Sequence, residues 1–67
     1  MSLAKVIEVL AESPTSFDDA AVQAVKGAAK TVKNIKHVYI KDMQATVENN
    51  EIVKYKVNAK ITFVVGE

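Results

Sequence analysis

Val53-Lys54-Tyr55-Lys56-Val57-Asn58-Ala59-Lys60-Ile61-Thr62-Phe63-Val64-Val65 is the stretch on which the fold turns. Every odd position from Val53 to Val65 is apolar, and the even positions Lys54, Lys56, Asn58, Lys60 and Thr62 are polar. Successive side chains of a strand point to opposite faces, so this period of two predicts one buried and one polar face. Thirteen residues at about 3.3 Å each reach roughly 40 Å, far more than an average strand.

Upstream, Glu48-Asn49-Asn50-Glu51 is polar and built from turn-forming residues, so it is the expected hairpin tip. Before it, Val38 and Ile40 share one parity while Met43, Ala45 and Val47 share the other. A bulge or sharp bend is therefore predicted near Lys41-Asp42. Further upstream, Ser13-Pro14-Thr15-Ser16 breaks the pattern and starts a helix: Ser16 is a good N-cap, and Asp18 and Asp19 favour the positive helix end. Phe17, Ala21, Ala24, Ala28, Val32 and Ile35 recur at spacings of three or four, which predicts a helix from Phe17 to about Lys33 with an alanine-rich apolar face. Asn34 suits a left-handed C-terminal position. Lys5–Ala11 alternates with apolar residues on both faces and reads as a strand covered on both sides. The fold class is α+β in the order β-α-β-β: one domain spanning 1–67, a three-stranded antiparallel sheet curled around one helix.

Size raises a question the strands answer. A 7.3 kDa chain exposes roughly 10,600 Å² unfolded and about 4,200 Å² folded. If about 60 % of the difference is apolar, burial contributes on the order of 95 kcal/mol, against roughly 100 kcal/mol for ordering 67 residues. A lone chain is marginal. With no cysteine, neither a disulfide nor a Cys-rich zinc site can staple it. The two overlong strands must then find cover on other copies, so a homo-oligomer is expected.

Composition removes other classes. Leu, Ile, Val and Phe make up 20 of 67 residues, too many for a disordered chain. Apolar runs are too short for a membrane-spanning helix, and Lys5 and Glu8 interrupt the one candidate leader segment, so a cytoplasmic protein is expected. The net charge is +1 and all nine basic residues are lysine, which leaves no guanidinium for bidentate phosphate or guanine contacts and argues against nucleic acid.

In this ordered combination the chain resembles the dodecins. The family's short strand, Ser-Pro-Thr-Ser-type helix start, Ala-rich helix ending in Asn and long hairpin correspond to Lys5–Ala11, Ser13–Ser16, Ala20–Asn34 and Lys36–Val65. The resemblance implies a hollow homododecamer, no enzymatic activity, and storage of a flavin (riboflavin or FMN) at sites shared between subunits. The positions it marks for the ligand all depart from the family pattern. The flavin-stacking tryptophan is His37, the acidic residue two further on is Tyr39, a second-strand arginine is Gln44, and the glutamine after the third-strand tyrosine is Lys56. Imidazole is a smaller stacking surface than indole, although Tyr39 on the same strand face adds a ring. Lys56 donates to a carbonyl or phosphate but cannot accept from an N–H as an amide does. The alternative implied by these changes is a dodecin without flavin, carrying calcium, a CoA-like anion or no ligand. No catalytic constellation ties a nucleophile and carboxylate to His37, the single histidine. Lys54, Lys56 and Lys60 form a basic stripe, read either as a solvated face or as an anion contact. Glu48 and Glu51 are too few for a calcium cage within one chain.

Overall fold

Four elements order the chain: β1 (Leu3–Ser13), α1 (Phe17–Ala28), β2 (Ile35–Glu48) and β3 (Glu51–Val65). They are taken from a computed structural model that describes residues 3–66. The sheet is antiparallel in the order β1-β3-β2. β3 is thus the central strand, bonded on both sides, and α1 lies across one face.

The face of β3 predicted to be apolar is the core. Val57, Ala59, Ile61 and Phe63 are buried, as are Ala20, Ala24 and Ala28 of α1. Ile7, Val9 and Ala11 of β1 and Ile40 of β2 pack in from the flanking strands. Short alanine side chains let the helix axis come close to the sheet, so the contact is thin, and a groove remains between α1 and β1 beside Gly27. The buried stripe is Ala20, Ala24, Ala28, one position away from the predicted Ala21, which is half-buried. Phe17 instead covers the sheet beyond the alanines, edge-on to Tyr55 with ring centroids 5.0 Å apart.

The helix starts as its sequence predicts. The Ser16 hydroxyl accepts from the Asp19 N–H at 2.9 Å. Ser13, only 1 % exposed, donates to Asp19 Oδ2 at 2.6 Å and accepts from the Thr15 N–H at 2.9 Å. The end differs from expectation: α1 stops at Ala28, not near Lys33. Lys30 and Thr31 donate to carbonyls three residues back, so the chain tightens into a turn. Val32 and Ile35 keep their predicted place on the core, but Val32 reaches it from the segment after this turn and Ile35 as the first residue of β2. Asn34 does adopt the left-handed conformation, φ 62°, where the chain enters β2.

In the hairpin, Asn49 and Asn50 both have positive φ, 52° and 66°, the backbone of a two-residue type I′ turn. The ladder shifts register between Ile40 and Asp42, where the parity change predicts it. Two further irregularities, at Ile35/His37 and Thr46/Val47, leave no such trace in the pattern.

One expectation fails within a single chain. Only the helix side of β1 is covered; on its other face Val6 is 57 % and Leu10 81 % exposed. The molecule is also long, 52 Å, with a radius of gyration of 13.7 Å where a compact chain of this length has about 11 Å. Its accessible surface of 4953 Å² exceeds the roughly 4,200 Å² of a compact monomer. The hairpin simply outreaches the one helix that covers it. Among the described residues no helix is long and apolar enough to cross a membrane.

Candidate functional site

Cross-strand partners in an antiparallel ladder share a face. Val57, Ala59 and Ile61 face the helix, so Lys56, Asn58, Lys60 and Thr62 face away from it. The register then places every predicted ligand residue on that outer face: His37 opposite Thr62, Tyr39 opposite Lys60, and Gln44 opposite Lys56. Tyr39 is 63 % exposed, and His37 and Gln44 are exposed as well.

These four residues do not form one cluster. Thr62 and Lys56 are six residues apart on β3, so the His37–Tyr39 rings and the Gln44–Lys56 pair lie up to about 20 Å apart along the strand. No single ring system bridges that span. A site that brings His37 and Lys56 onto the same ring takes them from two copies.

β1 supplies what the sequence did not reveal. Glu8 stands opposite Lys60 and Glu12 opposite Lys56. Glu12 meets Lys54 at 3.7 Å and Lys56 at 3.6 Å, and Glu8 meets Lys41 at 3.5 Å. The basic stripe is thus interleaved with carboxylates, not left as a bare cationic face. Side chains in these pairs are about half exposed, so they contribute little to stability but do fix where the ammonium groups stand. Around Gln44 and Lys56, a shallow depression is completed by Leu10, Glu12 and Asp42. Glu12 and Asp42 were not anticipated. The parity of Asp42 passes through the bulge, and Glu12 meets Lys56 only once β1 is known to pair with β3.

The Asn58 amide, and next to it the Lys41 ammonium, hold the Glu8 carboxyl below its ordinary range. A carboxyl depressed in the folded state lends stability above its unfolded value, and that stability is lost as pH falls through the lower folded value. The denaturant midpoint should therefore drop as pH is lowered across the acid range, and Glu8→Gln should flatten that drop by lowering the midpoint slightly at neutral pH while leaving it nearly unchanged at the acid limit, where Glu8 is protonated. An equally steep acid limb in the variant would assign the drop to other carboxylates.

These features define a small open-sheet β-α-β-β protein with a helix on one face and a polar, aromatic-edged surface on the other. The dodecin family model matches residues 3–66. The calcium dodecin of Mycobacterium tuberculosis is 30 % identical over 63 residues, covering 94 % of this chain and 89 % of that protein. Its crystal structure superposes with a TM-score of 0.80 at 28 % identity, over 91 % of this chain and 87 % of that one. A dodecin of Streptomyces coelicolor gives 0.92 at 24 % identity over 98 % and 94 %, and a Thermus thermophilus dodecin variant 0.93 at 21 % over the whole of both chains; these two show the shared fold. The chain belongs to the dodecin family.

Proposed function

We propose that this dodecin is a non-catalytic small-molecule binding and storage protein, a single domain assembled as a cytoplasmic homododecamer, that takes a flavin, riboflavin or FMN, at sites completed between copies. The observation that carries the reading is the division of the outer face into an aromatic pair and a polar pair too far apart for one chain to use together. His37 and Tyr39 offer two exposed rings on alternate positions of β2, suited to stacking on a planar heterocycle. Gln44 both donates and accepts, and Lys56 donates, so together they suit the carbonyl edge or phosphate of such a ligand. Lys56 is already oriented by Glu12. Exposed Leu10 borders the polar pair, exposed Val6 stands across Thr62 from His37, and both gain cover when copies meet.

Calcium is the second reading, favoured by the likeness to a calcium dodecin. Within one chain it finds no cage: among the described residues no three His, Asp or Glu side chains come together. An ion would need oxygens from several copies.

Titration of riboflavin and of FMN with the purified protein tests the first reading, with quenched and saturable flavin emission as the expected result. Undiminished emission at excess protein would overturn it. Saturable calcium uptake in equilibrium dialysis, with no flavin quenching, would establish the second reading in its place.

A further inference from the structure

Charge is sorted along this chain. Residues 26–41 carry five lysines and no carboxylate, and residues 42–53 carry three carboxylates and no lysine. The fold sends the two blocks toward opposite ends of a 52 Å body. The turn after α1 enters β2 beside Phe63, near the end of β3, whereas Glu48 and Glu51 sit at the hairpin tip. Among the described residues, ion pairs engage Lys41, Lys54 and Lys56 with Glu8 and Glu12. None engages Lys26, Lys30, Lys33 or Lys36, or either tip glutamate. Glu48 and Glu51 are moreover direct register partners, an arrangement that like charge disfavours until a cation lies over it.

Shape follows the same division. Beside the lysine block, α1 and β2 leave a hollow walled by Ala21, Val22, Val25 and Val38, with Lys26 at its rim. Val22 is 47 % and Val38 38 % exposed. At the tip, Val47 and Ile52 are register partners, 58 % and 51 % exposed. The valine–isoleucine pair and the glutamate pair occupy opposite faces of the ribbon. A ribbon end lying with its valine–isoleucine face on the valines holds the glutamates on its upper side, where a long side chain rising from the rim, such as that of Lys26, can reach over to them.

From this complementarity we infer that the hairpin tip of one copy docks into the α1–β2 hollow of a second copy. Val47 and Ile52 pack on Val22, Val25 and Val38, while Glu48 and Glu51 meet Lys26 and Lys30. The inference rests on the homo-oligomer proposed above and gives that oligomer a specific contact. Tip and hollow are different surfaces, and each copy has one of each, so the contact is head-to-tail, the kind that builds a ring when its rotation closes, instead of pairing two copies face to face. Exposed charges across such a contact are screened by salt, so assembly weakens as ionic strength rises.

Sedimentation of the full chain at low ionic strength tests this with charge exchange. Glu48→Lys with Glu51→Lys, and separately Lys26→Glu with Lys30→Glu, should each raise the concentration for half-assembly about tenfold or more. The quadruple variant, with signs exchanged, should return close to the parent. Lys26→Gln with Lys30→Gln keeps helix propensity and serves if charge reversal near the helix end unfolds α1; it should weaken assembly and blunt its salt dependence. An assembled parent whose mass ignores these changes, or a quadruple variant that is not rescued, overturns the docking and leaves the oligomer standing. Loss of assembly on the lysine side alone gives those lysines to a different anionic surface and likewise overturns it. A parent that stays monomeric at every concentration overturns both.

Discussion

Ile61→Ala is expected to lower the unfolding free energy by about 3–4 kcal/mol, the range for deleting a large buried aliphatic side chain whose cavity cannot close. Ile61 is fully buried on the central strand, between Ile7 of β1 and Val38 of β2. The helix above it presents Ala24 and Ala28. Alanines have no reach with which to fill a void, and β3 is held by ladders on both sides, so relaxation is limited. At about 0.05–0.15 kcal/mol per residue, a chain of this length has only a few kcal/mol to lose. Urea unfolding should show a midpoint far below the parent's with an unchanged slope. A loss under about 1 kcal/mol would mean that the helix settles onto the sheet and that the alanine contact is less rigid than its geometry implies.

His37→Trp combined with Lys56→Gln is expected to raise flavin affinity by about 30- to 100-fold, the second large effect. Indole adds stacking area and roughly 0.5–1.5 kcal/mol of aromatic interaction beyond it, and an amide that both donates and accepts adds about 1 kcal/mol. Together these approach two factors of ten. The register adds a sharper requirement. Within one chain the two positions are up to about 20 Å apart, a distance at which substitutions act independently. If one site draws His37 from one copy and Lys56 from another, both changes act on the same ligand, so each single variant tightens flavin binding and the double variant combines the two gains. Fluorescence titration of the two single variants and the double variant measures these gains. Unaltered affinity in the double variant would remove these positions from the site, and a gain from one single variant with none from the other would remove the silent position alone.

The fold was legible where the chain is most enclosed. β3 reads cleanly because it is central: both neighbours hold it flat, one face meets the helix, and no bulge interrupts its alternation. β2 lies at an edge, where bulges are tolerated, and only the one at Ile40/Asp42 crosses between apolar residues and so leaves a parity mark. The end of α1 is hidden in the sequence because Val32 and Ile35 continue the helical spacing, although the first lies beyond the turn and the second begins β2. At the candidate site, the resemblance located His37, Tyr39, Gln44 and Lys56, and alternation gave them a common face. Their separation into two pairs could not be read from the sequence, since it depends on which β3 residue each β2 residue meets. Glu8 and Glu12 were hidden for the same reason: β1 reaches the lysines only through a pairing that spans most of the chain.

The placement of β3 also governs how the molecule comes into being. The strand that both others need is synthesised after every element it supports. β1 and α1 leave the ribosome with apolar faces and no sheet to close on, and Leu3 must wait for Val65. The hairpin, closed by the Asn49–Asn50 turn, is the first non-helical unit whose contacts are local. The early segments therefore spend most of translation as exposed amphipathic chain, and completion of the sheet is a late, long-range step.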